Sequence, residues 1–510
     1  MDAFASALGA VSDPFTLLAI VAGAIIGIVF GSVPGLTYSM ALALVLPITF
    51  KFDTSAAIGM LLGTYIGGMT GGSVSAILLG IPGTPSAAAT VLDGYKMTRN
   101  GRAGLALGGA VLASGFGGIF SLLVMIVSVD LVARLAIQFG PVEIFALVLF
   151  GMSTICGLAG KSLVRGMIAG VIGLLLMTIG LDDMDGVARM TFGWTPLLQG
   201  VDLLVAMVGL FAVPQIMKTL IDYKLDRAFK LNASGVRSEL PTLKQLRNSF
   251  WLMFRCSALG TAVGSIPGTG GPIAAFLAYD HAKRFSKEPE RFGKGKLDGV
   301  MAPESANNAV TGGAMIPLLS LGIPGDPATA VMLGGFLIHG LVPGPMLFTN
   351  NKAEVYLIYL AIFVSYVTVV VFQYFGIRGF VKLLKVPPHL MAVGILIMCG
   401  VGTFAIRNSF LDVYMMVGVG LIGYLLMRAR IPITPIILGL VLGPTLEREF
   451  RTAVIMSEGS FGVFFSSTAA VVFYAMTIGV IGFHFYGQMR DAKKTRDAAN
   501  GKNAQQQGAN

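Results

Sequence analysis

The chain has 510 residues, 55% of them hydrophobic and only 12% charged, with a mean hydropathy of +0.79. Apolar runs long enough to cross a bilayer recur from end to end, which excludes an ordinary soluble enzyme and defines a polytopic membrane protein. The formal net charge of +10 arises from Lys and Arg in short loops between apolar runs. There they set topology, so the lipid bilayer and not nucleic acid is the expected partner.

Met1 to Pro14 lacks the basic stretch of a cleaved signal, so the first apolar run reads as mature protein. Phe15 to Phe50 is broken at Pro34-Gly35 and reads as a re-entrant hairpin, with a pair of kinked or tilted full spans as the alternative. Crossings are predicted near 54–95, 103–129, 137–157, 166–181 and 196–217, completing a first repeat over 1–217. A basic cytoplasmic linker follows over 218–250. The next hairpin, 251–279, has Pro267-Gly268 at its tip. Its arms of about 13 residues rise roughly 20 Å each, short of the roughly 30 Å hydrocarbon core. Six crossings follow, near 301–340, 354–376, 390–407, 412–427, 433–446 and 463–486, within a second repeat over 251–487. The tail, 488–510, is polar and basic and reads as disordered and cytoplasmic.

The two halves carry the same message. Gly31-Ser32-Val33-Pro34-Gly35 is echoed by Gly264-Ser265-Ile266-Pro267-Gly268, and Gly80-Ile81-Pro82-Gly83-Thr84-Pro85 by Gly322-Ile323-Pro324-Gly325-Asp326-Pro327. Loop charge reverses between them. Lys96 to Arg102 is basic where its counterpart, 340–353, has only Lys352. The junction after Phe50 has only Lys51 and Asp53, where its counterpart has Lys283, Arg284, Lys287, Arg291, Lys294 and Lys296. By the positive-inside rule the repeats are inverted, the N-terminus is periplasmic and the C-terminus cytoplasmic. The expected fold is an all-α polytopic membrane protein of two inverted-topology repeats with broken or re-entrant helices, an elevator-like secondary transporter.

Paired helix breaks place the expected site. Irregular backbone at membrane depth is tolerated where it lines a polar cavity, and new helix N-termini beyond each Gly-Ile-Pro-Gly element offer free N–H groups to an anion such as a carboxylate. The substrate set is Ser32, Pro34, Gly35, Gly80, Pro82, Gly83, Thr84, Ser265, Pro267, Gly268, Asn307, Asn308, Pro324 and Gly325. Asn307 and Asn308 bring both donors and acceptors. Thr37, Thr269, Thr311 and Asp326 are candidates for Na⁺ coordination. Asp326 would repel an anionic substrate, so it suits a cation ligand or proton carrier. Glu304 reads either as a coupling carboxylate or as a helix-start residue at the membrane surface. The competing reading of the glycines and hydroxyls is close helix packing and satisfaction of local carbonyls.

Other signals are weaker. Asp182-Asp183-Met184-Asp185 lacks the second acidic cluster of a magnesium-binding prenyltransferase site and reads as a solvated loop. Cys156, Cys256, Cys399 and four His show no metal-type spacing, so no metal cofactor or disulfide is expected. His339 reads as a packed or interfacial histidine.

These motifs, together with Gly71-Gly72-Ser73, Arg291-Phe292-Gly293-Lys294-Gly295, Pro303-Glu304 and Ile338-His339-Gly340-Leu341-Val342-Pro343-Gly344-Pro345, resemble the large membrane subunit of tripartite tricarboxylate transporters, the TctA family. The resemblance implies the translocating subunit of a bacterial inner-membrane importer of tricarboxylates or related carboxylates. It further implies Na⁺ or protons as coupling ion, a small four-span membrane subunit and a periplasmic solute-binding protein. The rival readings are an intramembrane enzyme on an acid or lipid substrate, motivated by Glu304, Asp326 and His339, and a channel or scaffold subunit.

Overall fold

The computed structural model describes residues 2–158, 162–182, 184–222, 239–376, 379, 388–482 and 484–486. Most of the expected linker and the whole expected tail lie outside the described residues, as does Asp183.

The described residues are mostly helical. In order the helices are α1 (Asp2–Ser12), α2 (Pro14–Ser32), α3 (Tyr38–Thr49), α4 (Thr54–Leu79), α5 (Ala88–Arg99), α6 (Ala103–Ala136), α7 (Pro141–Leu158), α8 (Leu163–Met177) and α9 (Leu203–Asp222). The second half continues with α10 (Leu243–Gly264), α11 (Gly270–Arg284), α12 (Asp298–Leu321), α13 (Pro327–Ile338), α14 (Leu347–Asn350), α15 (Lys352–Phe375), α16 (Pro388–Arg407), α17 (Phe410–Arg428) and α18 (Thr434–Met456). A final apolar helix, α19, covers Thr468–Tyr486. Among the described residues, seven helices are long and apolar enough to span a bilayer: α2, α4, α6, α15, α17, α19 and α16 from Leu390 onward. Two short strands, β1 (Gly180–Leu181) and β2 (Ala188–Arg189), pair antiparallel. The chain is therefore a multi-pass, all-α membrane protein.

Local chemistry sets the helix ends. Asp13 caps α2 by accepting from the N–H groups of Phe15 and Thr16 at 3.0 Å, ahead of Pro14 at the first helical position. Asp53 caps α4 in the same way. At the far ends of α4 and α12 the repeated motif acts through its first glycine: Gly80 and Gly322 adopt left-handed φ of 70° and 71°, which ends each helix at the same point of its repeat.

The chain divides into two compact units, Met1–Gln138 with Val201–Arg428, and Phe139–Gly200 with Ala429–Asn510. Each draws on both halves of the sequence. In the larger unit, α4 and α12 form the interior: every α4 residue from Ala56 to Leu78 and every α12 residue from Gly299 to Ser320 is buried. Their neighbours are protein and not lipid, which is why both tolerate Gly, Ser, Thr and Asn. The α4 window has a mean hydropathy of 1.2, against 2.3 for the half-buried α6. Exposed faces such as Val127 and Leu131 of α6 and Ile397 and Val401 of α16 are apolar, suited to acyl chains.

In the smaller unit, α18 packs on α8 through glycines, since a Cβ on Gly439 would overlap the Gly170 and Gly173 backbone. Val142, Ala146, Ala453, Phe464 and Ala470 form its apolar core. In the acidic run expected as a solvated loop, Asp185 is exposed but Asp182 departs from that expectation. Asp182 is buried and joined to Arg451 at 2.9 Å and Arg189 at 3.4 Å, and Glu447 pairs with Arg189 at 2.7 Å. Helix α18 supplies partners from far along the chain, which local sequence does not reveal. Its own Met184 N–H and the two arginines hold the Asp182 carboxyl below the usual carboxylate range.

Candidate functional site

Each stretch expected as a re-entrant hairpin holds two helices joined by a turn that carries Pro-Gly, and α10, with 22 residues from Leu243, is longer than the arm of about 13 expected there. Residues 33–37 separate α2 from α3, and residues 265–269 separate α10 from α11, with Gly35 at φ 92° and Gly268 at φ 85°. Each hairpin lies against the long helix of its own repeat through equivalent positions. A Cβ on Gly27 would overlap the Thr64 carbonyl, and one on Gly260 the Ala306 carbonyl. Gly31 meets Gly68 where Gly264 meets Val310, and Gly71 meets Ile28 where Gly313 meets Thr261. The duplication in the sequence is thus a duplication of contacts, and missing side chains let the backbones approach.

The same correspondence brings each hairpin to its Gly-Ile-Pro-Gly element. A Cβ on Gly83 would overlap the Gly31 carbonyl. A Cβ on Gly325 would lie 3.1 Å from the Gly264 carbonyl and 2.7 Å from Ala314. Gly268 N–H donates to the Gly325 carbonyl at 2.7 Å, and Gly83 N–H to the Gly72 carbonyl at 3.4 Å. The Pro-Gly elements in one repeat, distant in sequence, therefore meet in space.

Between them α12 presents a buried polar row. Glu304, fully buried in the second turn of α12, accepts from Thr90 Oγ1 at 2.5 Å and Ser114 Oγ at 3.2 Å. The helix begins at Asp298, which rules out Glu304 as a helix-start residue at the membrane surface. Asn307 donates Nδ2 to the Met69 carbonyl at 3.2 Å. Asn308 accepts from Thr70 Oγ1 at 2.8 Å. Thr311 shares a 2.5 Å bond with the Tyr366 hydroxyl and donates to the Asn308 carbonyl at 2.6 Å. Asp326 caps α13, accepting from Thr329 N–H at 2.7 Å, and also accepts the Tyr65 hydroxyl at 2.9 Å. Side chains of both repeats thus converge on this row.

The remaining candidates are placed less centrally. Ser32 donates to the Ile28 and Gly71 carbonyls, and Thr84 pairs with Ser86 at 3.0 Å. Thr37 caps α3 through Met40 N–H at 3.2 Å, while Thr269 donates to the Val263 and Ile266 carbonyls. Ser265 turns back to the Ala262 carbonyl and lines a largely apolar groove of about 480 Å³ among α6, α10 and α12. Gly35 presents its carbonyl to Gln215 Nε2 at 2.5 Å. His339 is packed, with Nε2 3.2 Å from Thr49 Oγ1. Among the described residues no three His, Cys, Asp or Glu side chains cluster as a metal site would.

Thr90, Ser114, Tyr366 and Gln373 also belong to the network but carry no local motif; single hydroxyls or amides in apolar helices become legible only when packing faces them inward. Asp93 is different, since a lone carboxylate in small-residue sequence is itself a signal. It is fully buried and accepts from Gly293 N–H at 3.0 Å, Gly295 N–H at 2.7 Å, Lys296 N–H at 2.9 Å and Tyr279 Oη at 2.8 Å. This gives the Arg291-Phe292-Gly293-Lys294-Gly295 motif its reason: the left-handed φ of Gly293 and Gly295 helps aim the N–H groups of Gly293, Gly295 and Lys296 at one carboxyl.

Paired helix breaks around a buried polar row thus lie within a multi-pass, all-α membrane protein. The chain belongs to the tripartite tricarboxylate transporter TctA family, whose family model matches residues 17–438. It is 36% identical over 459 residues to an uncharacterized 52.8 kDa protein in the TAR-I ttuC' 3' region of Agrobacterium vitis, covering 90% of this chain and 91% of that protein. A second Agrobacterium vitis protein, uncharacterized and in the TAR-II ttuC' 3' region, is 37% identical over 211 residues, covering 41% of this chain and 87% of that protein. No solved structure matches the chain. The family points to a transport role and not to catalysis.

Proposed function

We propose that this chain is the translocating subunit of a binding-protein-dependent secondary transporter that imports tricarboxylates or related carboxylates across the bacterial inner membrane. A Na⁺ or proton gradient drives it. A small four-span membrane subunit completes the membrane complex, and a periplasmic solute-binding protein delivers the acid. The N-terminus is periplasmic, the C-terminus cytoplasmic, and the two repeats are inverted about the membrane plane. The observation that carries this reading is the residue-for-residue pairing of hairpin and Gly-Ile-Pro-Gly break, Gly31 with Gly83 and Gly264 with Gly325, around Asn307 and Asp326.

Substrate and coupling ion bind at those breaks. Helix N-termini suit a carboxylate, Asn307 and Asn308 lie beside them, and the hydroxyls and carbonyls at the turns suit Na⁺. Glu304 and Asp326 are carboxyl groups inside the protein with hydrogen-bond partners from the other repeat, placed to carry a proton if protons are the coupling ion. Each compact unit draws on both repeats, the organisation an elevator-like displacement of one unit needs.

Replacing Asn307 by Ala, or Gly325 by Leu, tests the site. Both variants are expected to insert and to assemble with the small subunit but to lose gradient-driven uptake. Full uptake by both would remove the breaks from the transport path.

A further inference from the structure

The equivalent positions of the two breaks are filled differently. Aligning the Gly-Ile-Pro-Gly elements sets Thr84 against Asp326, Ser86 against Ala328 and Tyr65 against Asn307. Aligning the hairpin tips sets Tyr38 against Gly271. The glycine contacts described above follow this alignment, so the comparison is between like places.

The second break is full. The Asp326 carboxyl lies on the first turn of α13, accepting from Thr329 N–H at 2.7 Å, Thr329 Oγ1 at 2.9 Å and Tyr65 Oη at 2.9 Å. Tyr38 packs beside Tyr65 with ring centroids 6.2 Å apart, and all four residues are buried. An internal acid and two aromatic rings thus occupy the position where a helix N-terminus would otherwise receive an anion.

The first break lacks every one of these fillers. Thr84 replaces the acid, Asn307 one tyrosine and Gly271 the other. No side chain caps the 3₁₀ turn Pro85–Ala87 or the start of α5, and the Thr84 and Ser86 hydroxyls bond one another. Asn307 is fully buried, and its bond to the Met69 carbonyl turns Oδ1 the other way, where that oxygen has no hydrogen-bond partner among the described residues. A Cβ on Gly271 would lie 2.5 Å from this oxygen and 2.8 Å from Ser86 Cβ, so the start of α11 packs directly against both. Ser75 Oγ, buried and likewise without a partner, faces Gly83 in the same break.

These features specify a ligand. The positive end of an uncapped helix favours a negative group and opposes a bare cation. A buried acceptor without a partner requires a donor. A molecule that meets both demands carries a carboxylate beside a hydroxyl. Resting on the transport reading, we propose that the duplicated framework has one ligand position and not two. The first break receives a hydroxycarboxylate, with its carboxylate at the Thr84–Ser86 turn and its hydroxyl donating to Asn307 Oδ1. The second break is held by the protein's own Asp326.

The test uses matched acids that differ only in that hydroxyl: citrate with tricarballylate, and malate with succinate. Affinity is measured by titration calorimetry on the complex of this chain with its small membrane subunit, without the binding protein. In the unmodified complex the hydroxyl member of at least one pair is expected to bind on the order of tenfold more tightly or better, because the other leaves a buried acceptor unpaired. Asn307→Leu should bring that ratio close to one. Thr84→Asp, which supplies the first break with the acid that the second already has, should lose binding of all four acids while eluting as an intact complex.

Equal affinities within both pairs, or no binding of any of the acids, would overturn the proposal without recourse to any variant. So would a hydroxyl preference that survives Asn307→Leu, or normal binding by Thr84→Asp. Gradient-driven uptake of the same four acids by the complete system separates the two levels. Uptake without hydroxyl discrimination removes this inference and leaves the transporter. No uptake of any acid under either gradient removes both.

Discussion

Tyr65 Oη donates to Asp326 Oδ2 at 2.9 Å and so joins the central helix of the first repeat to the break of the second. Both residues are buried, and the same carboxyl also caps α13. Tyr65→Phe keeps the ring and removes one donor. The expected loss is about 1–3 kcal/mol of stability, seen as a lowered unfolding temperature in detergent. Asp326→Ala should lose more, since it strips both the cap and the partner of Tyr65.

The glycine correspondence predicts matched sensitivity in the two repeats. Gly83→Ala and Gly325→Ala each force a methyl into backbone or a close-packed side chain, with an expected loss of about 1–3 kcal/mol. Gly9→Ala in α1, where an added Cβ meets nothing within 4 Å, is the control and should leave stability unchanged or raise it by up to about 1 kcal/mol. Thermal unfolding of the three variants side by side checks this.

Asp93 organises the loop between α11 and α12. Asp93→Ala leaves three aimed backbone N–H groups and the Tyr279 hydroxyl without their acceptor. A loss of about 3 kcal/mol or more follows, with accelerated hydrogen exchange at Gly293, Gly295 and Lys296. Asp93→Asn, which keeps one acceptor oxygen, should lose less.

In the smaller unit, Asp182 gives a pH dependence of definite sign. Its carboxyl is held below the ordinary range by Met184 N–H first, then by Arg189 and Arg451. A depressed folded-state value means the stabilisation is fully present above the unfolded value of about 4. It is lost as pH falls from there through the folded-state value. Limited proteolysis between β1 and β2 should therefore increase in that acid window, and Asp182→Asn should show the increased cleavage already at neutral pH.

The fold was legible where a residue's chemistry is local. Pro-Gly and Gly-Ile-Pro-Gly mark helix ends because only particular residues tolerate those backbone angles, and Gly80 and Gly322 end their helices as the repeat predicts. Apolar length marked the spans that face lipid. The buried helices were harder: α12 carries Glu304, Asn307 and Asn308 because protein surrounds it, and its partners Thr90, Ser114 and Tyr366 come from α5, α6 and α15. Such pairings depend on how helices face one another, which no single helix records. The short α1, packed against α15 through Phe4 and Tyr356 at 5.7 Å, is not legible in the sequence because it precedes the first long apolar run. The ion pairs of Asp182 were illegible for the same reason, since Arg451 lies in another helix far along the chain.

Carboxylate transport through the paired breaks is measured most directly as uptake of labelled citrate into proteoliposomes. These hold this chain with its small membrane subunit, with and without the binding protein, under imposed Na⁺ and proton gradients, with unlabelled di-, tri- and aromatic carboxylates as competitors. Uptake of citrate, or of a competing acid once labelled, is expected to need both a gradient and the binding protein and to be abolished by Asn307→Ala. Verified, correctly assembled vesicles that move no carboxylate under either gradient would contradict it.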